Sequence, residues 1–193
     1  MLILPQSFYA RDTLVVAKEL LGKILVRKIG RATLSGRIVE TEAYVGSIDP
    51  ACHAFKGQTK RNQVMFGPPG HAYVYFTYGK HFCLNFVTEP EGNACAVLIR
   101  ALEPIKGIKH MIANRRIDEI KNLCSGPAKL TQAFSIGREE NGFPLFDGNL
   151  LVYDDSMDNF QIGTSGRIGI NAGTDLPWRY FIKNNQFVSR LVK

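Results

Sequence analysis

Two glutamates and a tyrosine alternate with a threonine and an alanine in one short segment of the sequence. Side chains two residues apart on a β-strand point to the same face, so Glu40, Glu42 and Tyr44 are predicted to face one way. Two carboxylates beside an aromatic ring are typical of a site for general acid–base catalysis. The spacing fits an alternative equally well, in which this is a solvated strand face and the glutamates form surface ion pairs.

A histidine and an aspartate follow in an irregular stretch. His53 could coordinate a metal, hydrogen-bond a phosphate or a base, or simply lie on the surface. A metal site would need a third ligand, for which Asp49 is the nearby candidate, and the sequence contains no H-E-x-x-H or EF-hand spacing. We therefore predict that the protein holds no catalytic metal. Four cysteines without a C-x-x-C pair are expected to be reduced thiols: Cys52, Cys83, Cys95 and Cys124.

A run of aromatic side chains precedes Gly79. Tyr73 and Tyr75 share one face of the predicted strand, and Tyr78 lies at the expected tip of a hairpin, beside the basic Lys80. Some of these rings would belong to the sheet core. An exposed ring at a hairpin tip, in contrast, is suited to stacking on nucleic-acid bases or to wedging into a duplex.

Polar groups interrupt two otherwise apolar segments. Asn85 and Arg100 each lie in a predicted strand, where a buried polar group needs a partner. An ion pair between Arg100 and Glu40 or Glu42 would keep that carboxylate ionised. Lys129, near the start of a predicted helix, could contact a phosphate beside free backbone N–H groups.

These side chains need a scaffold of strands and helices. Alternating β-branched residues predict a hairpin of 23–29 with 34–45 and a second hairpin of 71–78 with 80–88, separated by a long polar loop over 46–70. Together with the other elements, this favours an α+β fold. The other predicted elements are strands at 95–101, 150–153, 167–170 and 180–183 and helices at 11–21, 106–116 and 125–134, the last capped by Ser125.

The composition is that of a globular protein with excess positive charge. Of 193 residues, 45% are apolar and 21% are charged, which excludes wholesale disorder. No apolar run reaches the roughly 18 to 20 residues of a membrane span. The net charge of +7 favours a polyanionic partner such as nucleic acid. The apolar start ends at Pro5 and lacks basic residues, so a cytoplasmic protein is expected.

Several segments, taken in order, match one known family. They cover most of the chain and are Gly36-Arg-Ile-Val-Glu-Thr-Glu-Ala-Tyr44, His53, Arg61-Asn62, Met65-Phe66, Tyr73-Val-Tyr75, Tyr78-Gly79, Phe82-Cys83, Asn85, Leu98-Ile-Arg-Ala-Leu-Glu-Pro104, Cys124-Ser-Gly-Pro-Ala-Lys-Leu130, Arg167-Ile-Gly169 and Ala172-Gly173. In this order and spacing the sequence resembles the alkyladenine (3-methyladenine) DNA glycosylase family, of the type found in mammals and many bacteria.

The resemblance implies a fold and an activity. The fold would be a single α+β domain over residues 1–193, with a mainly antiparallel β core, flanking helices and a protruding β-hairpin. The activity would be monofunctional hydrolysis of the N-glycosidic bond of damaged purines in duplex DNA, which leaves an abasic site. The substrates would include 3-methyladenine, 7-methylguanine, hypoxanthine and ethenoadenine. No metal or organic cofactor is expected, and the enzyme would act as a cytoplasmic monomer, associated with the nucleoid if it is bacterial.

The resemblance also implies roles for single residues. Glu42 would be the general base that activates water. Arg100 would help to hold that water or the adjacent phosphate and would keep Glu42 anionic. Tyr78 would fill the gap that a flipped base leaves in the duplex. The lesion pocket would be formed by Tyr44, His53, Tyr75 and Asn85, and phosphate contacts would come from Lys60, Arg61 and Lys129.

Two other functions remain open from the residues alone. Glu40, Glu42 and His53 could serve a metal-dependent nuclease, which added Mg²⁺ would stimulate. The chain could instead be a non-catalytic module that binds damaged DNA without turnover.

Overall fold

Within residues 1–77 and 79–190, which the structure describes, nine β-strands join in one sheet of the computed structural model. The strands are β1 (Leu2–Ile3), β2 (Ile24–Ile29), β3 (Ala32–Val45), β4 (Ala72–Thr77), β5 (His81–Thr88), β6 (Cys95–Lys106), β7 (Leu150–Asp154), β8 (Ile162–Ser165) and β9 (Arg179–Ile182). Their order is β1-β7-β2-β3-β6-β5-β4, with β9 paired to β3 and β8 paired to β9. The strand pairings are antiparallel, and the predicted α+β class is confirmed.

Strand β3 is the longest strand and lies in the middle of the sheet. It pairs with β2 and β6, and β9 joins it beside Glu40 and Glu42. The register between β3 and β6 shifts on both sides of Glu40, an irregularity of the kind that re-aims side chains next to active sites. Both glutamates are fully buried, so the alternative of a solvated strand face is wrong.

Four short α-helices accompany the sheet in the described part of the chain. Helix α2 begins after Asp12, whose carboxylate accepts a hydrogen bond from the Val15 N–H at 3.0 Å. None of the described helices is long and apolar enough to cross a membrane. The α-helices are α1 (Gln6–Tyr9), α2 (Thr13–Glu19), α3 (Ile108–Arg115) and α4 (Pro127–Ala133), and the 3₁₀-helices cover Gly46–Ile48, Gln63–Phe66, Ile120–Asn122 and Arg138–Glu140.

Three local predictions are wrong. Strand β6 does not end at residue 101 but continues through Pro104, which is tolerated because the pairing with β3 is irregular beside it. Helix α4 is capped by Gly126 rather than by Ser125, whose hydroxyl instead accepts a hydrogen bond from Lys129. Residues 167–170 form no strand, because Arg167 turns inward and Gly169 adopts a positive φ of 78°.

The second hairpin and the loop before it carry several of the predicted site residues. Strands β4 and β5 pair from Ala72 with Phe86 to Thr77 with His81, which confirms the predicted hairpin; its predicted tip residue Tyr78 lies outside the described residues. The loop is ordered by the buried Asn62, whose amide donates to the carbonyls of His53 and Gly57. The four cysteines are buried free thiols, as predicted.

Candidate active site

A cleft of about 480 Å³ is lined by strands β3 to β6, by the start of α4 and by two loops. This volume lies in the range of pockets that take small molecules, about 300–1,000 Å³. The structure brings together five of the predicted site residues from distant parts of the sequence. These five lining residues are Tyr44, His53, Tyr75, Asn85 and Arg100.

The Glu42 carboxylate lies fully buried beneath the floor of this cleft, which is formed by the three residues that contact it. Its Oε2 accepts hydrogen bonds from the Tyr44 hydroxyl at 2.9 Å and pairs with Nη1 of Arg100 at 3.2 Å. Its Oε1 accepts the backbone N–H of Ile168 at 2.7 Å. An ionised carboxylate can accept about four hydrogen bonds, so Oε1 keeps capacity for a further donor such as water.

Burial dominates the electrostatics of Glu42. It raises the pKa of Glu42 above the ordinary value of a glutamate, although Arg100, the Ile168 N–H and the Tyr44 hydroxyl each lower it. Arg100 acts in the direction expected from the sequence, because its charge opposes the effect of burial on this pKa. A pKa above that of an ordinary glutamate suits a general base.

Glu40, the other carboxylate on β3, has a different set of partners. Its Oε1 accepts from Nε of Arg179 at 2.7 Å, from Nε of Arg100 at 3.1 Å and from the Ser189 hydroxyl at 2.9 Å. Its Oε2 accepts the Ser189 N–H at 2.6 Å. Arg100 thus bridges both glutamates, which confirms the predicted ion pair and extends it to both carboxylates.

Aromatic rings form one wall of the cleft. The rings of His53 and Tyr75 meet edge to face with centroids 4.5 Å apart, and Nδ1 of His53 lies 3.0 Å from the Tyr73 hydroxyl. His53 keeps solvent exposure, yet partial desolvation of its ring and the charge of Arg61 both lower its pKa, to about 4, so the ring is neutral at pH 7. Tyr73 was not among the predicted site residues, although its alternation with Tyr75 gave the signal.

Asn85 is buried on β5 and faces the same cleft. Its Nδ2 donates to the Tyr73 carbonyl at 3.0 Å, and it lies opposite Leu98 of β6, which also lines the cleft. Because the amide is held by this hydrogen bond, Asn85 presents a fixed shape to any occupant of the cleft.

The segment from Arg167 to Ala172 belongs to the candidate site, and the sequence patterns assign it no role there. Residues 168–172 line the cleft, and Ile168 contacts Glu42. Arg167 is buried behind them and pairs with Asp49, the residue considered above as a metal ligand. The Arg167-Ile-Gly169 motif was the available signal, but its partners are more than a hundred residues away.

The basic residues lie around the mouth of the cleft or beside it. The guanidinium of Arg61 lies 5.1 Å from the ring centroid of Tyr75, and Lys60 is exposed next to it. Lys129 on α4 donates to the neutral side chains of Ser125 and Asn122, close to the cleft-lining Pro127. Among the described residues, no group of three His, Cys, Asp or Glu side chains could hold a metal ion.

The sequence also matches known proteins. A family model described as methylpurine-DNA glycosylase matches residues 7–186. A protein of Carboxydothermus hydrogenoformans, provisionally named a 3-methyladenine DNA glycosylase, is 54% identical over 98% of this chain and 100% of its own length. Proteins with the same provisional name from Burkholderia lata and Methanoculleus marisnigri are each 50% identical over 97% of this chain, and over 91% and 98% of their own lengths.

Proposed function

The chain belongs to the methylpurine-DNA glycosylase family and is a DNA-repair glycosylase, and from that premise we propose the reaction, the lesions and the residues that act on them. The proposed reaction is hydrolysis of the N-glycosidic bond of a damaged purine, with an abasic site as product. The proposed lesions are 3-methyladenine, 7-methylguanine, hypoxanthine and ethenoadenine. The proposed partner is duplex DNA, bound by a monomer in the cytoplasm.

The observation that carries the proposal is the Glu42 carboxylate beneath the cleft floor. Its Oε1 has capacity left for a water molecule, while Arg100 and Tyr44 hold Oε2 in place. In the proposed step Glu42 takes a proton from that water as the water oxygen bonds to C1′ and the bond from C1′ to the base nitrogen breaks. A cationic alkylated purine then leaves as a neutral base, whereas a neutral lesion such as hypoxanthine leaves as an anion that takes a proton from the solvent. The proton on Glu42 returns to the solvent.

The cleft supports recognition of a base that has left the helix. An enzyme cannot reach the glycosidic bond of a stacked base, so the lesion must flip out at a cost of about a few kcal/mol. Tyr44 and Tyr75 would stack on the flipped purine, and electron-rich rings favour a cationic one. We propose that His53 donates to the neighbouring phosphate or sugar oxygen.

Asn85 would provide selectivity against undamaged guanine. Its amide is fixed by the Tyr73 carbonyl, so it cannot swing away from an exocyclic amino group in the cleft. Tyr78, which lies outside the described residues, is proposed to fill the gap in the duplex. A Tyr78→Ser variant would then bind lesion-containing duplex more weakly, and an unchanged dissociation constant would exclude that role.

Positive charge around the cleft supports binding to phosphates. Lys60 and Arg61 lie by the aromatic wall and Lys129 lies by the start of α4, so they flank the cleft from different elements. Contacts of this kind supply affinity without reading sequence, and they make binding dependent on salt. The proposed roles of these residues are therefore in orientation of the duplex.

The test is base release by the wild-type protein under single-turnover conditions without added metal. Duplexes carry one hypoxanthine or one 3-methyladenine, with an undamaged duplex as control. We expect release of the free base from the damaged duplexes, and strand breakage only after hot alkali because no lyase step is proposed. Tight binding of the damaged duplexes without release would show a binding module, and breakage that depends on Mg²⁺ would show a nuclease.

A further inference from the structure

Arg167 is a fully buried cation behind the cleft. Its Nη2 donates to Oδ1 of Asp49 at 2.7 Å, its Nη1 donates to Oδ2 of the same carboxylate, and Nη1 also donates to the Ala43 carbonyl at 2.9 Å. The guanidinium lies 4.7 Å from the ring centroid of Tyr44 and 5.2 Å from that of Trp178. Arg167 does not line the cleft, so these contacts are made from the protein side of Tyr44.

The ion pair joins two loops that both line the cleft. Asp49 immediately precedes the cleft-lining Pro50 and Ala51. Arg167 immediately precedes Ile168, the first residue of the cleft-lining segment 168–172. A bidentate pair between an arginine and a carboxylate fixes both distance and orientation, so it sets the position of one loop relative to the other.

The same residue controls a contact to the catalytic carboxylate. The Ile168 N–H reaches Oε1 of Glu42 at 2.7 Å, and it can do so only if the backbone directly after Arg167 stays in place. The Tyr44 hydroxyl donates to Oε2 of Glu42, and the ring of the same residue packs against the Arg167 guanidinium. Arg167 therefore adjoins Ile168 and contacts Tyr44, the residues that hydrogen-bond the two carboxylate oxygens of Glu42, without contacting Glu42 itself.

A requirement for stability alone does not explain this arrangement well. Burial of two charges costs several kcal/mol of desolvation, and well-packed apolar side chains of similar volume are often as stabilising as a buried ion pair. What an apolar pair lacks is directional hydrogen bonding. The position of the pair, between two cleft loops and under a cleft ring, is where such direction matters.

We propose that Arg167 and Asp49 form a positioning pair that sets the Ile168 N–H and the Tyr44 ring for the reaction. The proposal rests on the proposed function, because it assigns the pair a role in orienting Glu42 as base. Arg167 is a positioning residue, since it acts through Ile168 and Tyr44 and contacts neither water nor lesion.

The test compares two buried arginine–carboxylate pairs. Arg167→Lys keeps the charge but loses the bidentate geometry and the flat contact with Tyr44. Arg27→Lys is the matched control, because Arg27 forms a buried pair with Glu140 and neither residue lines the cleft. Both variants are followed by thermal unfolding, by single-turnover base release over a range of pH, and by the affinity for damaged against undamaged duplex.

We expect Arg167→Lys to release base about tenfold to hundredfold more slowly, as loss of a hydrogen bond to a charged group implies. The acidic limb of its pH profile moves to higher pH, because the Ile168 N–H no longer stabilises ionised Glu42. It also prefers damaged duplex less strongly, since Tyr44 is displaced. Arg27→Lys keeps the wild-type rate and pH profile whatever stability it loses.

The opposite results overturn the proposal. Equal effects of Arg167→Lys and Arg27→Lys on rate and pH profile would reduce the pair to a structural element. If Arg167→Lys does not fold, Asp49→Asn, which keeps the size and one acceptor of the side chain, is measured in the same way with the same expectation. If the wild-type protein releases no base, the proposed function fails, and with it the role of the pair in orienting Glu42. The positioning of Tyr44 is then tested separately, and it is overturned if Arg167→Lys keeps the wild-type preference for damaged duplex.

Discussion

Glu40 and Glu42 lie two residues apart on β3, are both fully buried and both contact Arg100, yet their surroundings differ. Glu40 is saturated by Arg100, Arg179 and two groups of Ser189. Glu42 shares Arg100 with Glu40 and accepts hydrogen bonds from the Tyr44 hydroxyl and the Ile168 N–H. Beneath the cleft it keeps capacity for one further hydrogen-bond donor. We therefore propose that the hydrogen-bond partners of each carboxylate, rather than its residue type or spacing, give Glu40 a structural role and Glu42 a chemical one.

Removing the charge of Glu42, the carboxylate nearer the cleft, should reduce the rate of base release more than any other change proposed below. Glu42→Gln keeps the size of the side chain but cannot take a proton from water. We expect base release to slow by about 10²–10⁴-fold, the usual contribution of a general base. Binding of lesion-containing duplex, measured by fluorescence anisotropy, should stay within a few-fold of wild type. A variant that binds normally and releases base at the wild-type rate would remove Glu42 from the mechanism.

The same substitution on the other glutamate should act on stability instead. Glu40→Gln leaves Arg100 and Arg179 buried with less compensating charge, and breaking a buried ion pair costs about 3 kcal/mol or more. Urea unfolding measures that loss. Base release, measured at a temperature where the variant is folded, should fall less than tenfold. A loss of activity as large as that of Glu42→Gln would show that the two carboxylates act as one unit.

The pH dependence sharpens the description of Glu42. Because burial raises the pKa of Glu42, acidification should protonate its carboxylate at a higher pH than that of an ordinary glutamate. The rate of nucleobase release should therefore rise with pH through this pKa. Tyr44→Phe removes a hydrogen bond that favours the ionised form, so it should raise the pKa and move the acidic limb by about one pH unit upward. A pH–rate profile under single-turnover conditions measures both. A limb that stays in place would mean that another group titrates.

The charge of Lys129, which contacts neither Glu40 nor Glu42, should have only a small effect, on the salt dependence of DNA binding. Lys129 donates only to neutral side chains in its described contacts, so its charge is available for a phosphate. Lys129→Gln should lower the slope of log Kd against log salt by about one. The control is Lys28→Gln, because Lys28 is exposed opposite Thr33 at the start of β3, while Tyr44 lies near its end. Equal slopes for both variants would exclude a phosphate contact by Lys129.

Local patterns in the sequence predicted what lies close along the chain. Alternation predicted the shared face of Glu42 and Tyr44 and the two hairpins, because the period of two is a property of a single strand. It could not predict the saturation of Glu40, since Arg179 comes from a strand 139 residues away in sequence. For the same reason it missed the pairing of Asp49 with Arg167, across 118 residues.

The direction of the Glu42 pKa was also beyond local reasoning. The sequence supplied the correct neighbour, Arg100, but the balance depends on how completely the sheet, the loops and Ile168 exclude water from the carboxylate. Burial is a property of the whole fold, so a sequence pattern that identifies Arg100 as the partner does not show how strongly burial raises the pKa of Glu42. The inward turn at Arg167, where a strand was predicted, has the same origin in a distant partner.

The most direct test of the account is a single-turnover measurement on one duplex with wild type, Glu42→Gln and Glu40→Gln side by side. The duplex carries one hypoxanthine, the protein is saturating, no metal is added, and the free base is quantified. We expect release by wild type and by Glu40→Gln, and release slower by about 10²-fold or more for Glu42→Gln. Release by Glu42→Gln at the rate of Glu40→Gln would contradict the central claim that these two carboxylates have different roles.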